Sequence, residues 1–152
     1  MADTSRYIIS DIAVHPDGTW FTGKSRIENK PILLFFKKNL HSDVNGMFIY
    51  NEFGSKSEKV YIKVNGPVLK ITSVTENHFV LDNEELLDIS GKEIAMDSEE
   101  RLYIVLDKLK AWAVFTREAK DNLRDRLARK GNVFFWNNKP IRLIKEFPWF
   151  FG

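Results

Sequence analysis

Short runs of alternating apolar and polar residues, separated by turn-forming residues, cover most of this chain. The clearest run lies at residues 58–64, where Val60, Ile62 and Val64 alternate with lysines and Tyr61. A period of two is typical of a strand with one buried face. We therefore expect the three aliphatic side chains to be buried and Tyr61 to lie on the opposite face of the strand.

The same pattern predicts further strands, each bounded by Gly, Pro, Asn or Asp. They cover residues 7–14, 20–21, 47–50, 69–74, 78–81, 86–89, 101–106, 111–115, 133–136 and 141–144. Asn137 and Asn138 separate the last two and tolerate the positive φ of a tight hairpin turn. The chain is thus expected to be rich in antiparallel sheet.

Two segments have apolar residues at helical spacing instead. Pro31 favours the first turn of a helix, which we expect to run to about Leu40 with Leu33 and Phe36 on its apolar face. The apolar run at residues 32–36 is also compatible with a buried strand. The lysines that follow it suit the last turn of a helix, and we favour the helix.

The second predicted helix covers residues 117–130. Ala119, Leu123 and Leu127 form its apolar stripe, and Gly131 follows where a C-terminal cap with positive φ belongs. The segment is rich in Arg and Lys, and three aromatic residues follow it, a combination typical of RNA-stacking surfaces. A solvated helix beside core aromatics explains the same residues, and we favour that interpretation, which makes nucleic acid a disfavoured partner.

Two internal similarities predict a repeat. Residues 58–65 align with residues 100–107, so that Glu, Tyr and Ile recur at equal positions. Residues 40–50 and 127–136 each lead from a helix through a glycine to an aromatic strand. A motif of strands and helix is therefore expected to occur twice.

These elements together predict an α+β fold of antiparallel sheets with two main helices. We expect two related repeats of a strand and helix motif, at residues 1–75 and 76–152, packed as one compact unit. The length of 152 residues suits a core that is stable without disulfides or metal.

Composition restricts the chemistry further. The chain has no Cys, which excludes a disulfide, a thiolate zinc site and a Cys nucleophile. Residues 1–6 show no apolar segment behind a basic head, and the longest apolar run, at 32–36, is far too short for a membrane span. We therefore expect a cytoplasmic protein with no membrane partner.

The net charge of +2 conceals two oppositely charged segments. Residues 76–100 carry nine acidic residues and one basic residue, whereas residues 101–145 carry twelve basic and four acidic residues. Either the segments neutralise each other locally, or they form a bipolar surface that steers a partner. The total near zero favours local neutralisation.

No enzymatic motif stands out. The three histidines are His15, His41 and His78. They are far apart in the chain, and residues 41–43, which contain His, Ser and Asp, lack the turn that presents a nucleophilic serine. The acidic pairs at 84–85 and 99–100 match no calcium loop, and the glycines form no phosphate loop. We assign no catalytic residue, no metal ligand and no cofactor.

The end of the sequence is unusually aromatic, with four aromatic residues at positions 147–151. Each gains about 1.5–3 kcal/mol by burial, so we expect this segment to be docked. Its own core is the favoured site because a short segment reaches it most easily. A second copy, giving a homodimer, or another partner is the alternative, with Trp149, Phe150 and Phe151 as the candidate interaction surface.

The first half also resembles a known bacterial family. The residues that carry the resemblance are Asp17-Gly18-Thr19-Trp20, Arg26-Ile27, Pro31-Ile32, Phe35-Phe36, residues 43–46, Glu58-Lys59, Ile62-Lys63-Val64 and Pro67. Over residues 10–75 the pattern is similar to DUF1285, a family of domains of unknown function, and residues 131–143 resemble its end. The resemblance implies repeated strand-and-helix motifs and a signalling or ligand-sensing role, with no catalytic residues to transfer. Asn65-Gly66 replaces the acidic pair that the family usually carries before the proline.

These observations predict a non-enzymatic binding or sensing module with a role in signalling and a small molecule or a protein as its partner. The first alternative is an enzyme with dispersed polar residues in a cleft between the halves. The second is RNA binding through the basic helix at 117–130. Converging histidines or carboxylates in a pocket favour the enzyme, whereas an apolar groove favours the module.

Overall fold

The computed structural model describes residues 5–152, and its first six strands form one mixed sheet. The strands are β1 (Arg6–Val14), β2 (Trp20–Thr22), β3 (Ser25–Arg26), β4 (Leu40–Asp43), β5 (Gly46–Phe53) and β6 (Lys56–Val64). Their order is β3-β2-β1-β6-β5-β4. Neighbouring strands are antiparallel except β1 and β6, which run parallel at the centre of the sheet.

Helix α1 (Lys30–Lys38) connects β3 to β4. The Asn29 side chain caps it by accepting a hydrogen bond from the Ile32 amide, and Pro31 lies in the first turn. The predicted helix is confirmed, and the strand alternative for residues 32–36 is wrong. Its apolar face, with Leu33 and Phe36, packs against the core.

Seven strands form the second sheet. They are β7 (Leu69–Val74), β8 (His78–Leu81), β9 (Leu86–Asp88), β10 (Ile94–Met96), β11 (Leu102–Leu106), β12 (Ala111–Phe115) and β16 (Arg142–Leu143). Their order is β16-β10-β11-β12-β7-β8-β9, with β7 parallel to β12 and β16 parallel to β10. Strand β10 was not predicted, because three consecutive apolar residues show no alternation.

The predicted helix over residues 117–130 is wrong in its second half. Helix α2 (Arg117–Leu123) is followed by a 3₁₀ turn (Arg124–Arg126) and then by β13 (Leu127–Lys130). With β14 (Val133–Trp136) and β15 (Lys139–Pro140), β13 forms a small third sheet. Pairing with β14 satisfies the backbone of residues 127–130, so tertiary contacts override the helical pattern.

Gly131 has a positive φ of 62°, as predicted, but it lies in the turn between β13 and β14 and does not cap a helix. Asn137 and Asn138 both have positive φ, as predicted, but their turn joins β14 to β15. The predicted pairing of residues 141–144 with 133–136 is wrong, because β16 pairs with β10.

The similarity between residues 40–50 and 127–136 predicts a helix that leads through a glycine to an aromatic strand, whereas residues 40–43 and 127–130 form the first strand of a hairpin in each case. The repeated motif stays a prediction.

One hydrophobic cluster contains side chains from both large sheets. Ile62 is buried in it, and Val60 and Val64 pack against it half-buried. The corresponding aliphatic residues of β11 are all buried. Tyr61 projects to the opposite face of its strand, as predicted, and Tyr103 does the same in β11.

The chain passes from the first sheet to the second between Val64 and Leu69. The Asn65 amide donates to the Val14 carbonyl at 2.9 Å, and the Trp20 Nε1 donates to the Val68 carbonyl at 3.2 Å. A Cβ at Gly66 would lie 1.9 Å from the His15 carbonyl oxygen, so only glycine fits here. The expected boundary at residue 75 stays a prediction, and sheet membership changes before it.

Within residues 5–152, neither helix has the length and apolar character needed to cross a membrane.

Candidate functional site

A cavity of about 220 Å³ lies between the first half of the chain and the second sheet. Six leucines line it, namely Leu40, Leu69, Leu81, Leu87, Leu106 and Leu109. Its remaining lining residues are Lys37, Asn83, Glu85, Lys92, Val105, Asp107 and Lys108. We call it the leucine cavity. Its walls combine a largely apolar surface with a few charged groups, which is typical of small-molecule sites.

A buried ion pair fixes one side of the leucine cavity. Lys37 is only 6% exposed, and its Nζ donates to the Asp82 Oδ2 at 2.5 Å. The Asp82 Oδ1 accepts from the Lys70 amide at 2.9 Å, which holds the carboxylate in place. Because each charge has a partner, the pair connects α1 to the second sheet without leaving an isolated buried charge. The sequence showed Lys37 only as a cation in the last turn of a helix.

A second, more polar cavity of about 200 Å³ adjoins the first. We call it the arginine cavity, because Arg142 lines it together with Gly91, Lys92, Glu93, Ile94, Ala95, Val105, Asp107 and Trp112. Lys92, Val105 and Asp107 line both cavities. The Lys92 Nζ lies 3.5 Å from the Asp107 Oδ2, so this ion pair forms part of the common wall.

Contacts between the oppositely charged segments agree with local neutralisation. Arg101 pairs with Asp97 at 2.8 Å and with Glu99 at 3.4 Å, and Lys139 lies 3.9 Å from Glu93. The charges of residues 76–100 are therefore partly compensated within the molecule.

The histidines lie in three separate places. His15 stacks on Phe21 with ring centroids 3.9 Å apart, and His78 begins β8. His41 lies beside Phe48, and burial, together with the nearby Lys108 ammonium, lowers the pKa of its imidazole. No histidine lines the leucine cavity or the arginine cavity. Within residues 5–152 no three His, Cys, Asp or Glu residues form a group that could hold a metal ion.

The acidic pairs lie in turns. Glu84 and Glu100 have positive φ, at 73° and 63°. Glu84 pairs with Lys38, and Glu99 lies 3.4 Å from Arg101. Only Glu85 of the four lines a cavity. These carboxylates therefore do not converge on a common point as a pair of catalytic acids would.

Both large sheets carry a tyrosine that donates to an aspartate on the face away from the core. The Tyr61 hydroxyl donates to the Asp43 Oδ2 at 2.8 Å, and the Tyr103 hydroxyl donates to the Asp97 Oδ2 at the same distance. In both cases the other aspartate oxygen accepts a backbone amide two residues on, as in an Asx turn. A basic residue, Lys59 or Arg101, completes each group.

This bonding shifts the proton affinities of the groups. Burial acts to raise the pKa of Asp43 and Asp97, but the hydrogen bonds that their carboxylates accept outweigh it and lower both pKa values. Burial, then the hydrogen bond to Asp43, raises the pKa of Tyr61 to about 12. Burial, then the hydrogen bond to Asp97, raises the pKa of Tyr103. The tyrosines are therefore neutral donors at physiological pH.

The aromatic end of the chain docks on the second sheet of its own molecule. Phe147 lies 4.5 Å from the Tyr103 ring and packs against Trp149 at 4.6 Å. The Trp112 Nε1 donates to the Pro148 carbonyl at 3.1 Å, and the Phe151 amide donates to the Lys110 carbonyl. Docking within the molecule is what the sequence favoured. The use of Trp149, Phe150 and Phe151 as an interaction surface stays a prediction.

The basic segment at 117–130 does not form one helical surface, because the helix ends at Leu123 and residues 127–130 belong to β13. Arg126 donates to the Thr75 carbonyl, and the Arg129 guanidinium lies 5.4 Å from the Phe134 ring. Trp136 is 3% exposed and packs on Phe79, so its ring is not available for a base. Its Nε1 has no hydrogen-bond partner within residues 5–152.

The chain matches no family model and no curated protein. Its fold is similar to the crystal structure of a DUF1285 family protein from Silicibacter pomeroyi DSS-3, with a TM-score of 0.63 and 16% identity over 93% of this chain and 84% of that one. A DUF1285 family protein from Shewanella baltica OS155 is also similar, with a TM-score of 0.50 and 16% identity over 71% of this chain and 85% of that one. The resemblance to DUF1285 is therefore confirmed, and at this identity it establishes a shared fold and no activity.

Proposed function

We propose that this protein is a non-enzymatic module that binds a small molecule in the leucine cavity. The observation that carries the proposal is a cavity lined by six leucines, with one side fixed by the buried Lys37–Asp82 pair. Burial of apolar ligand atoms against such a surface contributes about 25 cal/mol per Å². The Lys37–Asp82 pair is already ordered before a ligand binds, so binding costs no conformational entropy for these two side chains.

Binding explains this site better than catalysis does. The carboxylates of the lining are Glu85 and Asp107, and Asp107 is 79% exposed and paired with Lys92. Lys37 is buried, but its Nζ donates to the Asp82 carboxylate at 2.5 Å, so it is not a free nucleophile. An enzyme with a dispersed polar site therefore has less support than a binding module.

We further propose that the two large sheets are related repeats. Strands β1 to β6 and β7 to β12 have matching orders, each with its first strand parallel to its last. This support comes from topology, and under this proposal β11 is the equivalent of β5. For a ligand-binding protein built from two such repeats, we propose a cytoplasmic sensing role in bacterial signalling.

A fragment screen with one blocking variant tests the binding site. We expect small apolar and amphipathic molecules to raise the melting temperature, since a ligand at 100 times its Kd adds about 2.7 kcal/mol of stability. Leu87→Trp places a larger side chain on the cavity wall and should abolish these shifts. Leu86→Trp is the matched control, because Leu86 is the neighbouring, exposed residue and does not line the cavity.

Both variants must first unfold cooperatively at temperatures close to that of the parent. Shifts that persist in Leu87→Trp, or a screen without any shift, would contradict the proposed function. Shifts that disappear in Leu86→Trp as well would place the site elsewhere.

A further inference from the structure

The wall between the leucine cavity and the arginine cavity is weakly held. Its polar part is the Lys92–Asp107 pair, with the two charged atoms 3.5 Å apart and the Asp107 side chain mostly exposed. Ion pairs of this kind contribute about 0–1 kcal/mol. A ligand that reaches from one cavity into the other therefore loses little by separating these two side chains.

The charged residues around the two cavities leave an excess of positive charge. Lys37 is paired with Asp82, Lys92 with Asp107, and Glu93 with Lys139. Within residues 5–152, Arg142 and Lys108 form no ion pair, and Glu85 is the one carboxylate of the two linings without one. Two cations thus face one anion, which favours a ligand that carries negative charge.

Arg142 is the cation best placed to receive an anion. It lies on β16, whose parallel pairing with β10 sets Arg142 opposite Ala95, another residue of the arginine cavity. The other side-chain donors of this cavity are engaged, since Lys92 is paired with Asp107 and the Trp112 Nε1 is bonded to the Pro148 carbonyl. A guanidinium offers two parallel N–H groups, which match the oxygens of a carboxylate or a phosphate.

Resting on the proposed function, we propose that the ligand is an amphipathic anion. Its apolar chain occupies the leucine cavity, and its carboxylate or phosphate binds the guanidinium of Arg142 in the arginine cavity. The chain passes the common wall at Lys92 and Asp107. Arg142 is on this view the residue that selects charge, and the leucines select the apolar chain.

Four probes with the same eight-carbon chain separate these contributions: octanoate, octyl phosphate, octanol and octylammonium. In isothermal titration calorimetry we expect at least one of the two anions to bind about tenfold or more tightly than octanol, because a hydrogen bond to a charged group contributes about 1.5–3 kcal/mol. Octylammonium should bind most weakly. The anion that binds more tightly identifies a carboxylate or a phosphate as the natural head group.

Arg142→Gln should lower the affinity for the preferred anion about tenfold and leave the affinity for octanol unchanged. The control is Arg124→Gln, since Arg124 is exposed, pairs with Asp121 and lines neither cavity. Equal affinities for octanol and both anions, or an Arg142→Gln protein that binds the anions normally, would overturn this inference and leave the binding module intact. If none of the four probes binds, or if binding survives Leu87→Trp, the proposed function itself fails.

Discussion

The outer face of each large sheet has a hydrogen bond from a tyrosine to an aspartate, but different residues shield the two bonds from water. Tyr103 is 1% exposed beneath the rings of Phe147 and Trp149, which belong to the end of the chain. Tyr61 is 8% exposed beside Tyr7 and other residues of its own sheet. The bond length to the aspartate is 2.8 Å in both.

The difference shows what the aromatic end of the chain contributes. Both faces need a donor for a turn aspartate, and each supplies one from a tyrosine. Among the residues that the structure describes, 5–152, a separate segment covers the bond of the second sheet, and residues of its own sheet cover the bond of the first. Since an electrostatic interaction is stronger when water is excluded, the two bonds should have different energetic values although their geometry is the same.

Removing the aromatic end should have the largest effect on this comparison. Deletion of residues 148–152 takes away Trp149 and Phe150, removes one of the two rings that cover Tyr103 and leaves the Trp112 Nε1 without its acceptor. We expect the free energy of unfolding to fall by about 3 kcal/mol, because two half-buried aromatics contribute about as much as one buried one, 1.5–3 kcal/mol, and the unpaired Trp112 Nε1 adds about 1 kcal/mol. Urea unfolding measures the loss.

Light scattering on the same truncated protein separates docking within the molecule from docking between molecules. The structure predicts an unchanged molar mass. A dimer that becomes a monomer would show that the segment docks on a second copy, and an unchanged urea midpoint would show that it contributes no stability.

Substituting each tyrosine compares the two bonds directly. Tyr103→Phe should cost about 2 kcal/mol of unfolding free energy, since it removes one of the two side-chain donors to the largely buried Asp97 carboxylate and leaves only Arg101, whereas Tyr61→Phe, on the more exposed face, should cost about 1 kcal/mol. Chemical denaturation at pH 7 gives both values. In the chain lacking residues 148–152 the difference should shrink, and two equal losses in the full chain would refute the role of the cover.

The smallest effect is expected at two hairpin tips, one in the first sheet and one in the third. Gly54 and Gly131 have φ of 61° and 62°, and a Cβ at either would meet no atom within 4 Å. Gly→Val at each position should therefore cost about 1 kcal/mol from backbone strain alone. Asn132→Val, at an exposed neighbour without positive φ, serves as the control. A melting midpoint unchanged by Gly131→Val would contradict the strain.

Local patterns predicted the strands well and the sites poorly. Strands β7, β8 and β12 match their predicted bounds because apolar alternation is a property of neighbouring residues. Residues 127–130 were assigned to a helix, since their spacing continues that of Ala119 and Leu123 and nothing in it reports the pairing with β14.

The leucine cavity was not predictable, because its residues are dispersed along the chain. Its leucines range from Leu40 to Leu109, and Lys37 and Asp82 are 45 positions apart. The similarity of residues 58–65 to residues 100–107 would make β6 and β11 equivalent strands. The matching strand orders instead make β5 the equivalent of β11. Alternation makes many strands look alike, so a short similarity does not identify equivalent strands.

The pairing of β16 with β10 has a consequence for the order in which the two sheets form. Every strand of the first sheet lies within residues 6–64, so a ribosome that has released this segment has released all of its pairing partners. The second sheet draws its edge strand from residues 142–143 and its cover from the residues beyond. These residues are the last of the described ones to leave the ribosome, so during synthesis the outer face of β11 is, within residues 5–152, the last large apolar surface to be covered.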